Sequence, residues 1–256
     1  GNELSFKKFQ KVFLVFAIVS IVLSVFSIGS ATKTSAKGTD VDKTPDSFTS
    51  SFTFEDYLKG IEEGYIATDV SYEELKQANE AASADQLEKD LIAQGFEKVY
   101  DSGTVGTFAS KKKKKGDVMV SSETSYNGIT GHAAIALSST SMLHIKAPGA
   151  KPTTHSLSYF KTNYGGKKMK MYRLSNTTAA SKAADWVSSK YKGSNATYRI
   201  SNDLSTTSHT YCSKIVYQGY YFGAKAVSWM GTAIVLPYAL KNILPYKYSL
   251  STAYTY

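Results

Sequence analysis

Residues 131–145 read Gly131-His-Ala-Ala-Ile-Ala-Leu137, Ser-Ser-Thr-Ser, Met142-Leu-His-Ile145. Two short apolar runs flank a serine-rich turn, which predicts two neighbouring strands of a β-hairpin. Each strand carries one histidine, and His132 and His144 are twelve residues apart. With a turn of about four or five residues, that spacing places both imidazoles on the same side of the hairpin.

Cys212 is the only cysteine of the chain. It lies in Thr210-Tyr-Cys-Ser-Lys-Ile-Val-Tyr-Gln218, where a helix is predicted to begin. The amides of a first helical turn favour a thiolate over a thiol, which makes Cys212 a candidate nucleophile. An isolated free cysteine is also a common buried, unreactive side chain, and that interpretation stays open.

The two histidines meet a chemical need of such a thiol. A thiol must lose its proton to attack, so it needs a base, and the base needs a third group to fix its tautomer. We predict Cys212 as the nucleophile, His132 as the base and His144 as the orienting residue. His155 and His209 are predicted to be ordinary core or surface residues.

Five motifs carry a family resemblance, and they are Gly116-Asp-Val-Met-Val, Gly131-His-Ala-Ala-Ile-Ala, Leu143-His-Ile, Met171-Tyr-Arg-Leu and Tyr211-Cys-Ser-Lys-Ile-Val-Tyr-Gln. The chain resembles the circularly permuted papain-like hydrolases, the YiiX/YaeF-like branch of the NlpC-type superfamily, over residues 105–250. The histidine strands precede the cysteine helix, as in the permuted branch. That branch often has an acidic residue where this chain has His144.

The resemblance implies an α+β fold in which an antiparallel sheet packs against the cysteine-bearing helix, with an N-terminal helical elaboration. It also implies a cysteine hydrolase that cleaves an amide bond through a Cys-His-His triad and a thioester, most simply in cell-wall peptides. Two alternatives stay open: a hydrolase or transferase acting on lipid acyl groups, and a catalytically silent envelope-binding module. No cofactor is predicted, and no His or Cys pair has the spacing of a metal site.

The N-terminal region predicts export. Lys7, Lys8 and Lys11 precede an apolar run over residues 12–28, and small residues follow. This pattern is typical of a signal peptide over residues 1–31, or to residue 36 if cleavage follows Ala36. An uncleaved membrane anchor is the alternative. We therefore expect a secreted or envelope-associated protein of a Gram-positive bacterium.

Composition divides the rest of the chain into three parts. Residues 32–51 are predicted to be a flexible linker. Residues 52–104 form a predicted helical subdomain, with Ser71 as a helix cap and Gly95 as a helix stop. Residues 105–256 are the predicted catalytic domain. There, residues 168–174 are predicted as a strand and a helix is predicted to be capped at Asn176 or Thr177.

The net charge of +9 predicts attraction to anionic partners. Five consecutive lysines, residues 111–115, and a second cluster of Lys167, Lys168 and Lys170 are candidate contacts with envelope polymers or lipid headgroups. A solvated loop is the alternative. Nucleic-acid binding is not expected, because the chain has only two arginines, Arg173 and Arg199, and no nucleic-acid motif.

Overall fold

The computed structural model describes residues 52–80, 84–101, 112–126, 129–164, 169–237 and 240. The predicted signal peptide, residues 1–31, and the predicted linker, residues 32–51, lie outside the described residues, as do Lys111, Lys167 and Lys168. Within the described ranges, no helix is both long and apolar enough to cross a bilayer.

The described residues form six α-helices, one π-helix and eight strands. The helices are α1 Phe54–Glu62, α2 Tyr72–Glu80, α3 Ala84–Ala93, α4 Leu157–Tyr164, α5 Thr177–Tyr191 and α6 Cys212–Gln218, with the π-helix Gly219–Gly223 continuing α6. The strands are β1 Phe96–Asp101, β2 Val118–Tyr126, β3 Ile129–Ala136, β4 Met142–His144, β5 Thr153–His155, β6 Met169–Leu174, β7 Thr197–Tyr198 and β8 His209–Thr210.

Six strands form one antiparallel sheet in the order β1-β6-β2-β3-β4-β5. The short strands β7 and β8 pair in parallel as a separate ribbon. The predicted α+β class is therefore confirmed. The predicted histidine hairpin is also confirmed, because β3 and β4 pair with Ile135 opposite Leu143 and Ala136 opposite Met142.

Alternating side chains give this sheet two buried faces. Val118 and Ala133 belong to the face that packs against α5, α6 and the π-helix. Met119 and Ala134, each the next residue along its strand, belong to the opposite face, where Phe160 of α4 packs. The sheet is thus the middle layer between the cysteine helix and α4.

The N-terminal helices pack in a cluster of their own. In α1, the Thr53 hydroxyl caps the Asp56 amide while the Asp56 carboxylate accepts from the Thr53 amide, a reciprocal capping box. Ser71 accepts from the Glu74 amide, as the predicted cap requires. The cluster joins Tyr65, Ile66, Val70 and Leu75 to Ile200, Tyr211 and Leu236.

Residues 96–101 fall within the predicted helical subdomain but form strand β1, the sheet edge that pairs with β6. Gly95 ends the preceding helical segment with a positive φ of 85°, as expected of a helix stop. The strand that follows Gly95 has only three buried or partly buried apolar side chains, Phe96, Val99 and Tyr100. So short a pattern is weak in the sequence, and its partner β6 lies more than 65 residues away.

A buried ion pair fastens the start of β2 to β6. Arg173 donates from Nε to Oδ1 of Asp117 and from Nη2 to Oδ2, both at 2.8 Å. The Nη2 atom also donates to the Lys112 carbonyl at 2.9 Å, and the Lys114 amide donates to Asp117. The Asp117 side chain is 1% exposed, so the pair is removed from water and satisfied by protein groups.

We expect the single substitutions Asp117→Leu and Arg173→Met each to lower the free energy of unfolding by about 3–5 kcal/mol, because each leaves one buried charge without its partner. The double variant should lose less than the sum of the two, since neither charge remains. Urea unfolding of the four proteins measures this coupling. Additive losses would show that the pair does not act as a unit.

Candidate active site

A backbone irregularity directs His132 into the site. The pairing of β2 with β3 shifts register between Ser121 and Ser125, next to Gly131. Gly131 has a φ of 85°, a conformation that other residues rarely adopt. Such bulges turn the following side chain and often lie beside active sites.

His132 and His144 form a direct hydrogen bond. His132 Nε2 and His144 Nδ1 are 2.8 Å apart, and both side chains are buried. If His132 carries its ring proton on Nε2 and donates it to His144, then His132 Nδ1 is a free acceptor. The sequence predicted that both histidines would share one side of the hairpin, and the hydrogen bond confirms this.

Aromatic rings enclose the histidine pair. Tyr164 stacks on His132 with ring centroids 4.7 Å apart and an interplanar angle of 6°. Phe160 contacts the His144 ring at 4.8 Å, and His155 contacts it at 5.3 Å. The ring of Tyr159 in turn stacks on His155 at 3.7 Å. Except for His155, at the end of β5, these rings belong to α4, a helix to which the sequence assigned no role.

Burial keeps both histidines neutral. It lowers the pKa of His132 from 6.5 to about 3. It also lowers the pKa of His144 to about 2, with smaller effects from His132, His155 and Lys146. A neutral imidazole is the form that can accept a proton, but a pKa lowered this far makes His132 a weaker base than a solvated histidine.

Cys212 is the first residue of α6, as predicted, and is buried. Burial raises the pKa of the Cys212 thiol above its ordinary value. The backbone amides of Ala133, Ser213 and Cys212 and the Ser213 hydroxyl oppose that rise, because they favour the thiolate. The expectation of a thiolate favoured by the helix start is therefore wrong for the resting site, since desolvation outweighs the amides.

The described contacts join His132 to His144 directly, and they connect Cys212 to this pair through neighbouring residues. The backbone amide of Ala133, the residue that follows His132 in β3, donates a hydrogen bond toward the Cys212 sulfur. Burial raises the pKa of Tyr164, whose ring stacks on His132, and the charge of a Cys212 thiolate adds to that rise. The Ala133 amide and the Tyr164 ring therefore link the buried thiol on the α6 face of the sheet to the histidine pair, which contacts α4.

Hydrogen bonds hold the loop that leads into Cys212. Lys214 is fully buried, and its Nζ donates to the His209 carbonyl at 3.1 Å. Burial lowers the pKa of Lys214 to about 8. The Gln218 amide donates to the carbonyls of Leu204 at 2.8 Å and Thr206 at 3.0 Å. The sequence gave no sign of these contacts, because a lysine and a glutamine ordinarily face water.

The lysine-rich segments are only partly available for binding. Among the described lysines of the run, Lys113 is buried and Lys115 pairs with Asp185. Lys170 of the second cluster pairs with Glu88 at 3.0 Å. Within the described residues, no group of His, Cys, Asp and Glu side chains is arranged to hold a metal ion.

A family model described as "Lipoprotein N-acylation protein LnsA-like" matches residues 93–256. The chain belongs to this LnsA-like family. The match covers Cys212, His132 and His144 together with the whole six-stranded sheet, whereas α1 and α2 precede it.

A protein of Bacillus thuringiensis, described as an "Uncharacterized 30.3 kDa protein", is 32% identical over 173 residues. The alignment covers 63% of this LnsA-like chain, and the chain spans 63% of the length of that relative.

The neutral histidines should make stability depend on pH. In the unfolded chain each binds a proton as the pH falls through 6.5, whereas in the folded chain His132 does so only near pH 3 and His144 near pH 2. We therefore expect stability to decrease below pH 6.5 by about 1 kcal/mol per pH unit per histidine. Urea unfolding at pH 7 and pH 5 measures the loss, and His144→Gln should reduce it. An unchanged pH dependence in His144→Gln would count against a neutral, buried His144.

Alkylation tests the protonation state of Cys212. Because burial raises the pKa of the thiol above 9.0, we expect iodoacetamide to react slowly at pH 7 and faster as the pH approaches and passes 9. His132→Gln should leave this profile nearly unchanged. A fast reaction well below pH 8 that His132→Gln abolishes would instead indicate a preformed thiolate-imidazolium pair.

Proposed function

We propose that this protein is a cysteine acyltransferase that takes a fatty acyl group from a lipid ester and passes it to an amine, or to water when no amine is bound. Membership of the LnsA-like lipoprotein N-acylation family supports acyl chemistry. The observation that carries the role of the cysteine is the meeting of the Cys212 sulfur with the strand amide beside the hydrogen-bonded His132 and His144.

We further propose that the fold is a permuted papain-like arrangement. The histidine hairpin precedes the cysteine helix in the chain, and that helix packs on the histidine strand. His144 holds one ring nitrogen of His132 and leaves the other for the thiol, as a Cys-His pair with an orienting residue requires. These observations support the arrangement through the geometry of the site.

The first step forms a thioester. His132 Nδ1 accepts the proton of the Cys212 thiol as the sulfur attacks the ester carbonyl carbon, so a carbon-sulfur bond forms. When the tetrahedral intermediate collapses, the carbon-oxygen bond of the ester breaks. The departing alcohol, a lipid short of one acyl chain, takes the proton back from His132. The acyl group is then held on Cys212.

Backbone amides are available to stabilise the negative oxygen of the intermediate. The amides of Cys212 and Ser213 belong to the first turn of α6, and the Ala133 amide lies on β3, all close to the sulfur. In a buried site that excludes water, a fixed hydrogen-bond donor stabilises a negative charge more strongly than it would in water. Its removal typically costs about 100-fold to 1,000-fold in rate.

The second step releases the acyl group. A neutral amine attacks the thioester carbonyl while His132 accepts its proton, so a carbon-nitrogen bond forms and the carbon-sulfur bond breaks. The proton returns from His132 to the departing Cys212 sulfur. A lipopeptide with a free amino terminus is the acceptor that the family description suggests. Water in place of the amine gives hydrolysis.

The family match favours this acyl reading over the cleavage of cell-wall peptide amides. An amide substrate would use the same Cys212 and His132, so the site geometry alone fits both. A location outside the cytoplasm, at the membrane that supplies the lipid, is part of the proposal. It is supported by the signal-like residues 1–31.

The test is to trap the acyl group on the full chain. We would incubate the protein with a diacyl phospholipid in mixed micelles and look for an acyl adduct on Cys212 by intact and peptide mass spectrometry. The adduct should disappear on treatment with hydroxylamine, which cleaves thioesters, and on addition of a lipopeptide amine. Cys212→Ala should form no adduct, and His132→Gln should form it at least about 100-fold more slowly.

His209→Gln is the matched control, since it changes a histidine outside the His132–His144 pair and should retain the rate. No adduct from any lipid ester, together with amine release from a cell-wall peptide amide, would replace this proposal with the amidase reading. If a folded protein leaves both substrates intact, the acyltransferase proposal is wrong and the silent binding module becomes the favoured alternative.

A further inference from the structure

Four aromatic side chains form a continuous surface beside the cysteine helix. Trp186 stacks on Phe222 at 5.2 Å, Phe222 contacts Tyr221 at 4.8 Å, and Tyr221 contacts Trp229 at 4.9 Å. Trp229 is 43% exposed, and the other three are half-buried. We call these four residues the aromatic surface.

The π-helix builds this surface. It continues α6 and carries Tyr221 and Phe222, and π-helical turns are frequent at functional sites. Two glycines let it approach α5 closely. A Cβ on Gly219 would lie 2.7 Å from Val187, and a Cβ on Gly223 would lie 2.7 Å from Trp186. This close contact holds Phe222 against Trp186.

Lysines surround the aromatic surface. Lys182 and Lys190 lie four residues before and after Trp186 on α5, which places them on its face of the helix, and both are exposed. Lys225 is exposed, with its Nζ 5.9 Å from the centre of the Tyr221 ring. The neighbouring carboxylate on this side of α5, Asp185, is paired with Lys115.

The backbone at Lys225 is unusual. Its φ is 54°, and among the described residues it is the one residue other than glycine with a positive φ. A residue with a side chain rarely adopts this conformation, so the packing around Lys225 holds its backbone in an unfavourable conformation that places the side chain beside Tyr221.

We propose that the aromatic surface and its three lysines dock on an anionic phospholipid bilayer. Trp and Tyr prefer the membrane-water interface, because the apolar part of the ring faces the lipid chains while the polar N–H or O–H group faces water. Lysines beside such rings bind anionic headgroups. The net charge of +9 on the chain complements the negative charge of such a bilayer. This inference rests on the proposed function, since an acyl donor of the lipid class has to be taken from a membrane.

The docking surface belongs to the same helical unit as the nucleophile. Tyr217 of α6 stacks on Tyr221 at 6.0 Å, and its hydroxyl donates to the Ser228 carbonyl at 3.1 Å. Tyr221 follows Cys212 by nine residues. A rise of about 1.5 Å per helical residue therefore puts the surface roughly 12–14 Å along the helix axis from the thiol. Docking would hold Cys212 at a fixed distance from the bilayer.

Tryptophan fluorescence can test this surface in the full chain. The chain has two tryptophans, and both belong to the aromatic surface. Residues 12–28 contain none, so insertion of that apolar run does not itself bury a tryptophan, and the charge-reversal variants separate tethering by the run from docking by the aromatic surface. The probe is vesicles of phosphatidylglycerol and phosphatidylcholine in which some lipids carry a nitroxide quencher near the headgroup. We expect emission to shift to shorter wavelength and the quencher to remove most of it.

Charge reversal of the three lysines, Lys182→Glu, Lys190→Glu and Lys225→Glu together, should abolish most of the quenching and leave both tryptophans in place. The matched control replaces the exposed lysines Lys59, Lys89 and Lys161, which lie on other elements, by glutamate. Its tryptophan emission should be quenched like that of the original chain. Vesicles of phosphatidylcholine alone should quench weakly.

Equal quenching in the two triple variants, or in vesicles without phosphatidylglycerol, would overturn the proposal. So would an emission shift that depends on protein concentration and not on lipid, because a second copy of the chain would then cover the surface. Quenching requires no acyl transfer, and Cys212→Ala should retain it. If a soluble short-chain ester forms the adduct but vesicles do not quench the tryptophans, the docking proposal alone is wrong. If the vesicles quench the tryptophans but no adduct forms, the acyltransferase proposal alone is wrong.

Discussion

The packing of α6 on β3 is the constraint on which the rest of the site depends. Ala133 and Ile135 face α6 from the strand, and small or medium side chains there let the helix start meet the strand. The Cys212 sulfur then meets the amide of Ala133, the residue that follows His132 in β3. A larger residue at position 133 would push the start of α6, and Cys212 with it, away from β3.

Burial sets the chemistry of this site as much as the choice of residues does. The same desolvation that raises the pKa of the Cys212 thiol lowers the pKa of both histidines. The resting protein therefore holds a neutral thiol at Cys212 and neutral imidazoles at His132 and His144. In the proposed reaction, the amides of Cys212, Ser213 and Ala133 would stabilise the negative charge that develops in this buried site.

The aromatic residues divide into two groups on opposite sides of the sheet. Phe160 and Tyr164 of α4 are buried and hold the histidine pair in place. Trp186 and Phe222, on the side of α5 and the π-helix, are partly exposed and surrounded by lysines. Composition alone, with 19 tyrosines and 12 phenylalanines, does not separate buried aromatic rings from partly exposed ones. Burial separates them.

The sequence by itself determined the local elements of the site. Apolar runs of strand length around Ser138-Ser-Thr-Ser predicted the hairpin of β3 and β4 with both histidines on one side, and a helix start was predicted at Cys212. These features depend on sequence patterns a few residues long, which favour the same local structure whatever the rest of the fold is. The cap at Asn176 and the stop at Gly95 are of the same kind.

Only the tertiary structure decided the contacts between segments distant in the chain. The pairing of β6 with both β1 and β2, the Asp117–Arg173 ion pair and the Tyr164 stack on His132 leave no local pattern. The same holds for the protonation of Cys212. The first-turn amides predicted a thiolate, but desolvation depends on everything that packs around the sulfur, and burial reversed the local preference.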